Sequence, residues 1–113
     1  MAKKKTPDSC GLGAALEMMG GKWKAMLLWE VRGGPVRFGE LKRRVPDISE
    51  KMLIQQLREL EAHGVIYREV FHEVPPRVEY SITPLGASLN EAITPLAIWG
   101  QKNEKRILGL VSA

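Results

Sequence analysis

A chain of 113 residues, 44% of them hydrophobic and 27% charged, has the composition of one soluble globular domain with a single modest core. One cysteine cannot close an intrachain disulfide or build a thiolate zinc site, and no apolar run approaches the length of a membrane span. The net charge of +4 permits a nucleic-acid partner without establishing one: Val36 to Tyr80 carries eight basic residues against eight acidic, and the excess lies in the flanks, mainly Lys3 to Lys5.

The start, MAKKKTPDSCG, is basic with no apolar stretch behind it, so no signal peptide is expected and a reducing cytoplasm fits. Residues 1–9 are expected to be flexible. Leu12, Ala15, Leu16 and Met19 share one side of a short helix that Gly20-Gly21 breaks. Lys22 to Arg32 reads as a second helix, with Trp23, Met26, Leu27 and Val31 at three- and four-residue spacing, closed by Gly33-Gly34-Pro35. Val36-Arg37 can form a very short strand. Phe38, Leu41 and Val45 then mark a brief helix carrying Lys42, Arg43 and Arg44, interrupted by Pro46-Asp47.

Ser49 to Gly64 carries a start signal, a periodic body and a stop signal. The Ser49 hydroxyl can cap the first turn, Glu50 complements the helix dipole, and Gly64 supplies the left-handed residue that ends the helix. Leu53, Leu57 and Leu60 form one apolar stripe, which turns Lys51, Gln55, Arg58 and Ala62 to the opposite face. That face is either a solvated surface or a set of groups able to bond base edges and phosphates. A short helix, a tight connection and a longer capped helix make a helix-turn-helix.

Val65 to Val74 and Arg77 to Ile82 read as two strands separated by Pro75-Pro76, pairing as a hairpin. Val78, Tyr80 and Ile82 alternate with Arg77, Glu79 and Ser81. A hairpin directly after a helix-turn-helix is a winged helix, with Arg68, His72 and Arg77 as candidate phosphate ligands on the wing. Thr83-Pro84 starts a last helix on which Leu85, Leu89, Ile93, Leu96 and Trp99 recur. Pro95 is expected to kink or divide it, and the end to keep some helical spacing through Ile107 and Leu110 but to fray. The first and last helices carry more apolar surface than a small winged helix covers. Either they bury it against a second copy, or they complete the protomer's own core.

Three stretches resemble the HxlR family of winged-helix transcription regulators, a branch of the MarR-like group, over about Cys10 to Gly100. GGKWKAMLLWEVRGGPVRFGELKRRVPDIS is similar to the family's Gly-Gly-Lys-Trp and Arg-Phe-x-Glu-Leu helices. SEKMLIQQLRELEAHGVIYR is similar to its recognition helix and first wing strand. EVPPRVEYSITPLG is similar to its wing tip, second wing strand and last helix start, and is the most specific of the three. The resemblance implies an α+β, mostly α fold: one winged helix-turn-helix over residues 1–113, with a two-stranded wing and terminal dimerisation helices, the C-terminal one at 84–110. It also implies a homodimer on a pseudo-palindromic operator of double-stranded DNA, regulating a nearby gene. Carried over, Ser49, Lys51 and Gln55 lie nearest the bases, and Arg37, Lys42, Arg43, Arg58 and Arg77 contact phosphates. Leu12, Leu16, Leu89, Ile93, Leu96 and Trp99 become the dimer interface. The family commonly has Cys-Pro where this chain has Cys10-Gly11.

Lys51 can donate to guanine, and Gln55 can pair bidentately with adenine. Cys10, at a predicted helix start near Lys3 to Lys5, is either a redox or chemical sensor or an inert packed residue. His63 and His72 lie on different elements without acidic or thiol partners at ligand spacing, so no metal is expected. Neither a cofactor nor enzymatic activity is expected: no serine neighbours a base, and Gly20-Gly21 and Gly33-Gly34 end helices instead of following strands. Trp23, Trp29 and Trp99 are expected in the core or dimer interface, or around a small ligand cavity. The alternative to a regulator responding to a chemical or redox signal is a winged helix that binds only another protein, as the neutral central charge would allow. The inducer is unknown.

Overall fold

The computed structural model describes residues 11–111. Six helices and three strands follow in the order α1 (Leu12–Met19), α2 (Lys24–Glu30), β1 (Val36–Arg37), α3 (Phe38–Arg44), α4 (Glu50–Ala62), β2 (Ile66–Phe71), β3 (Arg77–Ile82), α5 (Pro84–Lys102) and α6 (Glu104–Val111). The sheet is antiparallel in the order β1-β3-β2. β2 and β3 form the wing in the register Ile66 to Ile82 through Phe71 to Arg77. The two-residue β1 does not stand alone: Val36 lies opposite Tyr80 and Arg37 opposite Glu79, tying the entry of α3 to the wing.

One core joins all the central elements. Leu27, Leu28 and Val31 of the α2 region, Leu41, Val45 and Ile48 around α3, and Leu53, Leu57 and Leu60 of α4 are all buried. Val65, Ile66 and Tyr80 close it from the sheet side. Helix α4 begins as expected, with the Ser49 Oγ accepting from the Met52 N–H at 3.1 Å. It ends at Gly64, whose φ of 76° lets two further amides return to the helix. Gly64 N–H donates to the Glu61 carbonyl and Val65 N–H to that of Leu60, a Schellman closure whose apolar pair, Leu60 and Val65, is fully buried.

The base of the wing and the start of α5 meet at this closure. The Thr83 hydroxyl donates to the Gly64 carbonyl at 2.6 Å and accepts from Gly86 N–H at 3.1 Å. Gly86 has to be small: a Cβ there would lie 2.0 Å from the Val65 carbonyl oxygen. Farther along, the buried Asn90 donates its Nδ2 to the Leu28 carbonyl at the end of α2, fastening α5 to the core.

Two expectations change. Pro95 does not divide the last helix, and α5 runs unbroken from Pro84 to Lys102. A proline removes one backbone donor, and here both Pro95 and Glu91, whose carbonyl loses that donor, are exposed, so water can replace the bond. The end does not simply fray: Asn103 terminates α5 and a separate helix, α6, follows with none of its residues buried. No described helix is long and apolar enough to cross a membrane.

Candidate nucleic-acid interface

The α4 helix presents its polar face outward because its leucines leave it no choice. Leu53, Leu57 and Leu60 are at most 2% exposed, and Lys51, Gln55 and Arg58 are accordingly on the surface. Ser49 is exposed at the N-terminal end of the same face. Among the described residues neither Lys51 nor Arg58 has an ion-pair partner within 4.0 Å. Both therefore offer full positive charge to a ligand.

Gln55 is held more tightly. Its Nε2 donates to one carboxylate oxygen of Glu59 at 3.3 Å, one helical turn on. The other Glu59 oxygen receives the Nζ of Lys24 at 3.4 Å, and the same Nζ donates to the Gln56 Oε1 at 3.0 Å. Lys24 lies on α2, and its residue is only 8% exposed. Nothing in the local sequence marks this lysine: its partners lie 32 and 35 residues away, so only the packing of α2 against α4 reveals them.

The basic residues of α3 are tied to their surroundings. Lys42 Nζ donates to the Pro46 carbonyl at 3.1 Å, across the connection into α4. Arg43 pairs with Glu40 at 2.7 Å, and Arg44 pairs with the other oxygen of Glu40 at 3.3 Å. The hydrogen bond and charge of Arg43, with a smaller share from Arg44, hold the Glu40 carboxyl below its ordinary pKa. Arg37 is exposed on β1, which places it beside this helix.

On the wing, Arg77 is not the available cation the sequence suggests. Its guanidinium stacks 3.9 Å from the centre of the Phe71 ring and is paired with both Glu73 and Glu79. Burial works against its charge, but Glu79 and Glu73 outweigh that and raise its pKa above the ordinary arginine value. His72 and the whole tip, Glu73 to Pro76, are exposed, with Val74 the most exposed large hydrophobic residue. Arg68 is placed differently again. It stands opposite Tyr80 on the face of the sheet turned toward α4, where it and Arg58 line one half-open cleft of about 480 Å³ with Phe38, Ile54 and Val78.

The residues expected at a dimer interface separate into two groups. Leu12 and Leu16 of α1, and Leu96 and Trp99 of α5, are 48 to 63% exposed. Ile93 is instead a core residue, with Leu89 packed partly buried beside it, because α5 turns that side onto α2 and the sheet. The apolar surface absent from that expectation includes Ile98 and, on α6, Leu108, Leu110 and Val111, all exposed. The three tryptophans are not gathered around one cavity. Trp23 packs on the core, Trp29 lies under Arg32, and Trp99 lines a small groove between α5 and α6 with Asn103 and Ile107. Cys10 lies outside the described residues.

Comparison with known proteins gives a consistent answer. The family model of HxlR-like helix-turn-helix proteins matches residues 18–107. The uncharacterized HTH-type transcriptional regulator YkvN of Bacillus subtilis (strain 168) is 51% identical over 92 residues, covering 81% of this chain and 78% of YkvN. A putative transcriptional regulator of the MarR family from Porphyromonas gingivalis W83 superposes with a TM-score of 0.83 at 40% identity, covering 89% of this chain and 99% of that one. The redox regulator HypR in its oxidized form superposes with a TM-score of 0.78 at 45% identity, covering 83% of this chain and 97% of HypR.

Proposed function

The chain belongs to the HxlR-like helix-turn-helix family, and on that basis we propose that it is a dimeric, cytoplasmic regulator of transcription that binds a pseudo-palindromic operator. The carrying observation is the outward face of α4. Its leucines are sunk into the core, while Ser49, Lys51, Gln55 and Arg58 stay uncovered on a rigid helix. A helix with that face can enter a major groove, where Lys51 donates to guanine and Gln55 reads adenine. Arg37, Lys42, Arg43 and Arg58 contact flanking phosphates, and these contacts make the affinity fall steeply with salt. His72 and Arg77 are secondary contacts from the wing.

Dimerisation rests on the exposed leucines and tryptophan of α1 and α5, joined by those of α6. A single chain leaves this apolar surface in water, and a symmetric second copy would cover it. Such a dimer sets its two recognition helices about 34 Å apart, one turn of DNA. The input signal is chemical: the likeness to the redox regulator HypR supports a thiol-based response, and Cys10 is the chain's only cysteine.

Gel-shift titrations against the DNA upstream of its own gene, at several salt concentrations, test this reading. Salt-sensitive binding with an altered base preference in Gln55→Ala is the expected result. Absence of salt-sensitive binding would instead favour a winged helix that engages another protein. Diamide treatment is expected to change operator affinity in the wild type and not in Cys10→Ser; an unchanged wild type removes the sensor.

A further inference from the structure

Lys24 is the one charged residue buried among the described residues, and at 8% exposure it is not placed to meet a ligand itself. What it does is determined by what it touches. Its ammonium is shared between the side-chain Oε1 of Gln56 and the Glu59 carboxylate, both on α4. The far oxygen of that carboxylate accepts from Gln55. A chain of three side chains thus runs from the interior of α2 to the outward face of the recognition helix.

We infer that Lys24 is a positioning residue for base reading: through Glu59 it fixes the carboxamide of Gln55 in the orientation that a base pair meets. The inference rests on the proposed role of α4 in the major groove. Two physical points support it. A glutamine amide has two N–H donors, and the bond to Glu59 occupies one of them, leaving one N–H and the oxygen for the bidentate pairing that adenine requires. Without Glu59 the amide would rotate among several orientations and would have to be ordered at binding, at an entropic cost. Without Lys24, the Glu59 carboxylate would be uncompensated, one turn from Gln55, on a helix approaching a polyanion. The buried ammonium neutralises it from the protein side, at 3.4 Å, where it does not compete for the groove.

The test uses the full-length chain, the duplex that the wild type enriches from a random-sequence pool, and the single-base variants of that duplex. Gln55→Ala identifies the base step read by Gln55. Lys24→Met and Glu59→Ala are each expected to reduce discrimination at that same step about tenfold, the scale of one bidentate contact. Other steps should remain near wild type, and Lys24→Arg should recover most of the loss. In a Gln55→Ala background, Lys24→Met should have no further effect at the step. Glu59 is partly exposed, so Glu59→Ala keeps the test decisive if the buried lysine proves necessary for folding. Uniform weakening on every duplex, or effects of Lys24→Met and Gln55→Ala that simply add, would overturn the inference. If Gln55→Ala changes no base preference, the groove reading of α4 falls, and the positioning role falls with it.

Discussion

The proposed recognition helix, α4, and the wing carry similar residues and use them in opposite ways. On α4 the acidic residue nearest the reading face, Glu59, is neutralised from the interior by Lys24, and Lys51 and Arg58 remain unpaired among the described residues. On the wing the neutralisation runs the other way: Arg77 is enclosed by Glu73 and Glu79 and covered on one face by Phe71. The difference follows from secondary structure. A helix one side of which is buried can draw a counter-charge from the element beneath it. A two-stranded ribbon has no interior at its tip, so its arginine pairs with its own neighbours. The contrast separates charge count from charge availability: α4 carries cations without a protein partner among the described residues, and the wing arginine, Arg77, is already compensated.

The largest test of this comparison addresses the burial that orients the helix. Leu53→Ala removes a fully buried side chain and is expected to cost about 2–5 kcal/mol, while Val74→Ala at the wing tip should stay within about 0.5 kcal/mol. Urea melts of the two variants measure the difference, and equal effects would remove the claim that α4 is positioned by its leucines.

A second test compares the cations. Arg58→Ala should reduce the slope of log affinity against log salt by about one, the value for one lost phosphate contact. Arg77→Ala should change it less, because that charge is already compensated in the free protein. Glu73→Gln with Glu79→Gln should release Arg77 and tighten binding to all duplexes, most strongly at low salt. If Arg77→Ala matches Arg58→Ala, the wing ion pairs open on DNA and the two regions are equivalent.

The smallest expected effect is on α3, between the two regions. Arg43 and Arg44 hold the Glu40 pKa down, so this carboxylate contributes stability above its unfolded-state pKa, about 4.3. That contribution is lost as pH falls through the lower folded value. Glu40→Gln should therefore show a flatter stability profile than wild type across the acid range and an equal one below it. The pair is exposed, so the difference between the curves should be small and should shrink further in salt.

Much of the fold was legible in single residues with local consequences. Ser49 and Gly64 bound α4, Thr83 and Pro84 open α5, and the alternation from Arg77 to Ile82 marks β3, because capping, left-handed backbone and period-two burial are all local effects. The proposed reading face could be read for the same reason: a leucine stripe at helical spacing determines where every other side chain of that helix points. The continuity of α5 through Pro95 was not legible, because the cost of a proline depends on whether its freed carbonyl meets water.

By itself, then, the amino-acid order determined the elements, their direction along the chain and the side of α4 that faces outward, all consequences of interactions within a few residues. Only the tertiary structure decided which charges are available, since a cation's partner can lie two residues away, as Glu79 does from Arg77, or 35, as Glu59 does from Lys24. It likewise placed Ile93 in the core and left Leu96 and Trp99 outside it, although all three share one helical pattern. Helical spacing states that apolar residues share a face, and only the packing of neighbouring elements states how far along the helix that face stays covered.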